Sequence, residues 1–240
     1  ACYLASLRTD LLFKAGVERP QWRLVEHRPN VRLAAWVPDD ATQRAREREL
    51  AAVLAHVQER EALDPDLLPS RVPAIVPSTN AAVTAYAEAV NVGVGDVVRR
   101  LLFAAYWRDG LDLSNLNLLR ALLMQPVRTA VEKRRLTERG VTDRTSRVWR
   151  WDGAANVVAW TGNVVSVHGG PITSAAERLV RTWREDRRAV EAPACLTLVL
   201  PTGQVLSGAA ALNELLLPGL APLAPSGASA ADELPLAAAG

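Results

Sequence analysis

A short stretch near the end of the chain predicts a β-hairpin followed by a helix. Residues 196–200 form an apolar run that includes β-branched side chains, which is typical of a short buried strand. Residues 201–203, Pro-Thr-Gly, supply a turn, because proline fixes φ and glycine accepts a positive φ. An extended pattern resumes over residues 204–206, and a helix is predicted over 209–217, after a cap at Ser207.

The first residues of the chain predict a helix and then a strand. Residues 3–15 carry leucines at helical spacing, and Gly16 fits the C-terminal cap. Cys2 therefore lies at the N-terminal end of the first predicted helix. Residues 21–26 alternate in the manner of a half-buried strand.

Helical patterns with recognisable caps fill the middle of the chain. The predicted N-terminal caps are Asp40, Ser78 or Thr79, Asp96 and Ser114. The predicted helices cover residues 41–63, 80–90, 97–109, 115–125, 127–139 and 171–190. Pro126 is expected to stop or bend the chain between two of them.

Strand patterns occur at both ends of the chain, with helical patterns between them. We therefore predict that residues 22–26, 196–200 and 204–207 form one sheet, and that residues 40–140 form a mainly helical block outside it. This layout makes the chain an α/β protein whose sheet is interrupted by a large helical insertion.

The same layout predicts a domain division. Residues 1–35 and 171–217 would form the α/β unit, and residues 36–170 the mainly helical insertion. Residues 218–240 are rich in alanine, proline, serine and glycine, which predicts a disordered tail.

Composition narrows the function classes. The chain has 240 residues, of which 49% are hydrophobic and 22% charged, so it can bury a full core. A net charge of +2 argues against a dedicated nucleic-acid binder. The chain contains no run of about 18 apolar residues, so a membrane span is not expected. We expect a cytoplasmic protein, although the first residue, Ala1, suggests that an N-terminal piece is missing.

The reactive side chains are few. Cys2 and Cys195 lie near opposite ends, and neither belongs to a C-x-x-C pair. His27, His56 and His168 are scattered, so no metal site is expected.

Four stretches together resemble the DsbA-like thioredoxin family, in the branch of the FrnE-type oxidoreductases. The first resembles that family's second strand, the next two its helical insertion, and the last its closing hairpin and helix. These stretches are residues 21–29, 76–90, 98–123 and 192–212. The resemblance implies a thioredoxin-like sheet interrupted by a large helical insertion.

The resemblance also points to site residues, with two departures from the family pattern. The family carries C-x-x-C at the start of its first helix, where this chain reads Cys2-Tyr3-Leu4-Ala5, so Ala5 replaces the second cysteine. The family places a cis-proline before its third strand, and the matching positions here are Cys195, Leu196 and Thr197. Leu196 therefore stands in place of the proline, where a trans bond is expected, and Pro193 is the neighbouring alternative if the register is off by three.

The implied activity is thiol–disulfide exchange, with Cys2 and Cys195 as catalytic residues. Tyr3, Ala5, Leu196 and Thr197 are the implied active-site neighbours. The implied partners are protein thiols or a small thiol substrate, and no cofactor is expected, with glutathione as a candidate co-substrate.

Three interpretations remain open at this point. The chain could be a dithiol enzyme, or a monothiol, glutathione-dependent relative that resembles the kappa-class glutathione transferases. It could instead be an inactive thioredoxin-fold protein kept for binding, in which Cys2 is a frayed terminal residue and Cys195 an inert buried thiol.

Overall fold

The computed structural model describes most of the chain and shows a mixed α/β protein that is mostly helical. The described residues are 1–17, 20–26, 35–60, 63–139 (side chains to 133), 164–165, 172–190 and 196–217. The helices are α1 (Cys2–Lys14), α2 (Asp40–Glu59), α3 (Asn80–Asn91), α4 (Gly95–Trp107), α5 (Leu116–Arg139), α6 (Ser174–Ala189) and α7 (Ala209–Leu215). The strands are β1 (Thr197–Val199) and β2 (Val205–Ser207), and Pro65–Leu67 is a short 3₁₀ helix.

The predicted hairpin is confirmed. Strands β1 and β2 pair antiparallel, with Leu198 opposite Leu206. Gly203 closes the turn with φ of +84°, and its N–H donates to the Leu200 carbonyl at 2.9 Å. Helix α7 follows directly, although its cap is Gly208 and not the predicted Ser207.

Helices α2 to α5 lie where helical patterns were predicted, but several ends differ. Helix α2 is capped by Asp39 and not Asp40, since the Asp39 carboxylate accepts a hydrogen bond from the Thr42 N–H at 2.7 Å. Helix α5 runs through Pro126 as one helix, where two were predicted. Leu119 and Leu123 before the proline and Val127 after it are all buried, and this shared packing holds the two halves of the helix in line.

The strand predicted at residues 21–26 is wrong. In the described chain the sheet contains β1 and β2 alone, and residues 20–26 pair with neither. Side chains occupy backbone carbonyls that a strand partner would need: Tyr86 donates to Trp22 O at 3.1 Å, and Arg187 donates to Glu26 O at 3.1 Å. The alternating pattern is satisfied by packing against helices instead of by a sheet.

Two hydrophobic cores organise the described residues. The helical core is contributed mainly by α3, α4, α5 and α6, and includes Tyr86, Val98, Leu119, Leu123 and Trp183. The terminal core joins α1 and α2 to the region of the hairpin and α7. Its buried members are Tyr3, Leu4, Ala5, Val57, Leu63, Leu196, Ala211, Leu212, Leu215 and Leu216.

Helix α4 contacts both cores. Val98, Leu102 and Ala105 belong to the helical core, whereas Phe103 and Trp107 pack against the terminal core. Because these two sets lie on different faces of the same helix, α4 fixes how the two cores sit against each other.

Some predictions fall on residues outside the described ranges. They include the tail after residue 217, the histidines at 27 and 168, and Cys195. The division into residues 1–35 with 171–217, and 36–170, stays a prediction. Within the described helices, none is both long enough and apolar enough to cross a membrane.

The segment 20–26 is tied to α6 by ion pairs, which makes a stability prediction. Glu26 has a side chain only 4% exposed and receives two hydrogen bonds from Arg184, one of them from Nε at 3.2 Å. Arg184→Met should lower the free energy of unfolding by about 2–3 kcal/mol, because the Glu26 carboxylate would stay buried without its main partner. Urea unfolding would measure this loss.

A matched control lies one turn away on the same helix. Arg181 pairs with Glu177 at 3.9 Å, and both side chains are more than half exposed. Arg181→Met should change the free energy of unfolding by no more than about 0.5 kcal/mol. Equal losses for the two variants would show that the Glu26 pair does not hold the segment.

Candidate functional site

Cys2 is the first residue of α1, at the position that the sequence predicts. The preceding residue, Ala1, caps the helix, and its carbonyl accepts a hydrogen bond from the Ala5 N–H at 2.9 Å. Cys2 is partly exposed and packs against the terminal core. The N–H groups of a helix's first turn have no intrahelical acceptor, so they are available to a negative charge at this end.

The side chain of Tyr3, the residue after Cys2, is buried and does not face solvent. Its side chain is 4% exposed, and its hydroxyl donates to the Leu67 carbonyl at 3.0 Å. Its ring stacks on Trp107 with centroids 6.4 Å apart and lies 6.3 Å from the ring of Phe103. Burial raises the pKa of Tyr3, so the hydroxyl stays protonated and keeps this hydrogen bond.

Ala5 is fully buried in the terminal core. It stands where the resembled family has its second cysteine, so the described first turn of α1 presents one thiol, that of Cys2. Thiol–disulfide exchange at this position would need a second thiol from elsewhere in the chain or from a co-substrate.

The structure brings the segment after Cys195 to the same core as the first turn of α1. Leu196 is 5% exposed and belongs to the terminal core together with Tyr3 and Ala5. Its carbonyl accepts a hydrogen bond from the Gly208 N–H at 2.8 Å, which ties it to the start of α7. Thr197 follows as the first, half-buried residue of β1. Cys195 itself lies outside the described residues, so its distance from Cys2 stays a prediction.

Helix α7 holds α1 in place from the other end of the chain. Arg8 is 5% exposed, and its Nε donates to the Leu215 carbonyl at 3.0 Å. Leu215 is the last residue of α7, where carbonyls lack intrahelical partners and attract a positive charge. Burial lowers the pKa of Arg8, but a guanidinium remains charged at any ordinary pH.

The sequence pattern did not predict the buried arginine that lies against α1. The side chain of Arg99, in α4, is 1% exposed and donates from Nη1 to the Ser6 hydroxyl and, at 3.4 Å, to the Ser6 carbonyl. Its Nη2 pairs with Asp10 at 2.5 Å and with Asp96 at 3.3 Å. Its Cζ lies 5.0 Å from the centre of the Trp22 ring, a cation–π distance.

A weak signal for this cluster exists in the sequence. Arg99 and Arg100 are adjacent in a mainly apolar helix, and both contact Asp10, the one acidic residue of α1. The spacing between α1 and α4 gives no hint that these charges meet, because they are about ninety positions apart, with a separation of 89 for Arg99 and Asp10. A sequence pattern within one helix cannot supply that pairing.

No metal-binding cluster of histidine, cysteine or acidic side chains occurs among the described residues. His56, in α2, contacts the Asn213 side chain of α7 instead. This contact joins two helices of the terminal core, and His56 is the one histidine within the described ranges.

No protein-family model, no curated protein and no solved structure matches this chain.

Two substitutions test the hydrogen bond and the ring contacts of Tyr3 separately. Tyr3→Phe should cost about 1 kcal/mol of folding free energy, because it removes the hydrogen bond to Leu67 and keeps the ring. Tyr3→Leu should cost more, by roughly another 0.5–1.5 kcal/mol for each lost aromatic pair. Chemical unfolding of both variants measures the difference, and equal costs would show that the ring contacts contribute nothing beyond burial.

Proposed function

We propose that the protein is a DsbA-like thiol–disulfide oxidoreductase that reacts through Cys2. The observation that carries the proposal is the placement of Cys2: it is partly exposed, at the first turn of a helix whose other side is buried. Such a position stabilises a thiolate, because backbone N–H groups and the helix dipole favour negative charge.

The chemical step is an exchange of sulfur–sulfur bonds. The Cys2 thiolate attacks one sulfur of a substrate disulfide, a new bond forms between Cys2 Sγ and that sulfur, and the other sulfur leaves as a thiolate. The product is a mixed disulfide between the protein and half of the substrate. No electrons are gained or lost overall, since one disulfide replaces another.

Two routes would release the mixed disulfide, because Ala5 cannot. In the first, the Cys195 thiolate attacks Cys2 Sγ, the bound half leaves as a thiolate, and a Cys2–Cys195 disulfide remains. In the second, a glutathione thiolate attacks Cys2 Sγ, the bound half leaves as a thiolate, and Cys2 carries glutathione; a second glutathione thiolate then attacks the glutathione sulfur, which frees Cys2 and yields glutathione disulfide. The substrates would be protein disulfides or small-molecule disulfides.

The fold proposal rests on how α1 meets the hairpin and α7. Helix α1 packs with α7, and Leu196 before β1 shares the terminal core with Tyr3 and Ala5. A helix that begins with the reactive cysteine and packs beside a closing hairpin is consistent with a thioredoxin-like unit. The glutathione route fits a reducing compartment such as the cytoplasm, which we propose as the location.

Thiol titration tests the activity. In a Cys195→Ser variant, the rate of Cys2 alkylation by iodoacetamide is measured from pH 5 to pH 10, with Cys2→Ser as the blank. The thiolate should form with a pKa at least about one unit below the free value of about 8.5. A value at or above 8.5 contradicts the proposal and favours the alternative, an inactive thioredoxin-fold protein kept for binding.

Disulfide mapping tests the first route. The unmodified chain, treated with oxidised glutathione, should form an intramolecular Cys2–Cys195 bond, which mass spectrometry of a digest identifies. The Cys195→Ser variant should instead accumulate glutathione on Cys2. Stable glutathionylation of Cys2 in the unmodified chain would exclude Cys195 as the resolving thiol and leave the second route.

A further inference from the structure

The hydrogen bonds of Arg99 orient its guanidinium group along α1. The Nη1 edge of the guanidinium faces Ser6, whose hydroxyl and carbonyl it contacts. The Nη2 edge faces the carboxylates of Asp10 and Asp96. The Nη1 nitrogen therefore lies nearer the N-terminal end of α1 than Nη2 does, and Asp10, which pairs with Nη2, lies one turn beyond Ser6.

Cys2 lies one helical turn before Ser6, the residue that Arg99 Nη1 contacts. Cys2 and Ser6 are separated by four positions in α1, so their Cβ atoms lie about 6 Å apart on the same face. Asp10 is eight positions from Cys2, or about 12 Å along the helix axis. A charge on the Cys2 sulfur would thus be nearer the guanidinium's Ser6 edge than the Asp10 carboxylate.

Burial makes this arrangement effective. The Arg99 side chain is 1% exposed, and Ser6 is 2% exposed, so water screens the interaction little. A cation held in such surroundings favours a neighbouring anion more strongly than an exposed cation does.

We propose that Arg99 is a positioning residue for Cys2: it fixes the first two turns of α1 through Ser6 and stabilises the thiolate with its buried charge. This inference rests on the proposed function, since it explains how the reactive form of Cys2 is favoured. Arg99 does not touch the substrate in this account.

Other charged groups surround the two residues and have to be held constant. Arg100 also contacts Asp10, with its own side chain 49% exposed. Arg108 lowers and Asp109 raises the pKa of the neighbouring Tyr3. Arg8 lies further along α1, and His56, in α2, contacts Asn213 of α7. A comparison between variants of one residue leaves all of these unchanged.

The test compares two replacements of Arg99 in the Cys195→Ser background, with the alkylation profile of Cys2 as the readout. Arg99→Gln removes the charge, and should raise the pKa of Cys2 by about one unit, which slows alkylation about tenfold below the pKa. Arg99→Lys keeps the charge and should leave the pKa within about 0.3 units of the parent value. Arg100→Gln is the matched control at the adjacent, exposed position, and should also leave it there.

A third variant separates charge from structural support by the sign of its effect. Asp10→Asn keeps the size of the side chain and an acceptor for Arg99, but removes a negative charge. It should lower the pKa of Cys2 by about half a unit, whereas loosening of α1 would raise it toward the free value. This variant also decides the matter if Arg99→Gln does not fold.

The outcomes keep the two proposals apart. An unshifted pKa in Arg99→Gln, equal increases in the Gln and Lys variants, or an unchanged or raised value in Asp10→Asn would each overturn the role of Arg99. An ordinary Cys2 pKa in the parent overturns the proposed function, while the shifts between variants still decide whether Arg99 acts on Cys2.

Discussion

Arg99 carries a full positive charge into a site where its side chain is 1% exposed, and that requirement constrains its surroundings. Removing a guanidinium from water is expensive unless every donor finds an acceptor. The acceptors come from α1 and from the first turn of α4, and the Trp22 ring adds a third contact. Helix α1, helix α4 and the segment 20–26 are therefore held together at one point, where the terminal and helical cores meet.

A second pair of contacts joins distant elements by the same physical rule. Glu88 of α3 is 4% exposed and accepts hydrogen bonds from the Thr173 N–H at 2.6 Å and from its hydroxyl at 3.0 Å. Thr173 is the cap of α6, so a carboxylate from another helix satisfies the N–H before the first turn of α6. Like Arg99, Glu88 can be buried because its partners are fixed in place.

The elements that the sequence predicts well are those whose signals are local. The turn at Gly203 and helix α3 depend on residues a few positions apart, and both appear in the structure. The strand prediction for residues 21–26 is wrong because alternation only indicates that one side of a segment is buried, and helices can bury that side as well as a sheet would. Arg99 was missed because two arginines in a helix usually indicate a solvated face, and its acceptor in α1 is 89 positions away.

The hydrogen bond between Arg8 and Leu215 joins residues 207 positions apart, and this sets an order of events during synthesis. Helix α1 leaves the ribosome about 200 residues before its partner α7, and at about 5–20 residues per second that interval lasts ten seconds or more. Throughout it, the apolar face of α1 lacks the α7 and hairpin residues of the terminal core. Cys2 thus reaches its final surroundings only after nearly all of the described chain has been made, so the environment of the thiol reports on the completion of folding.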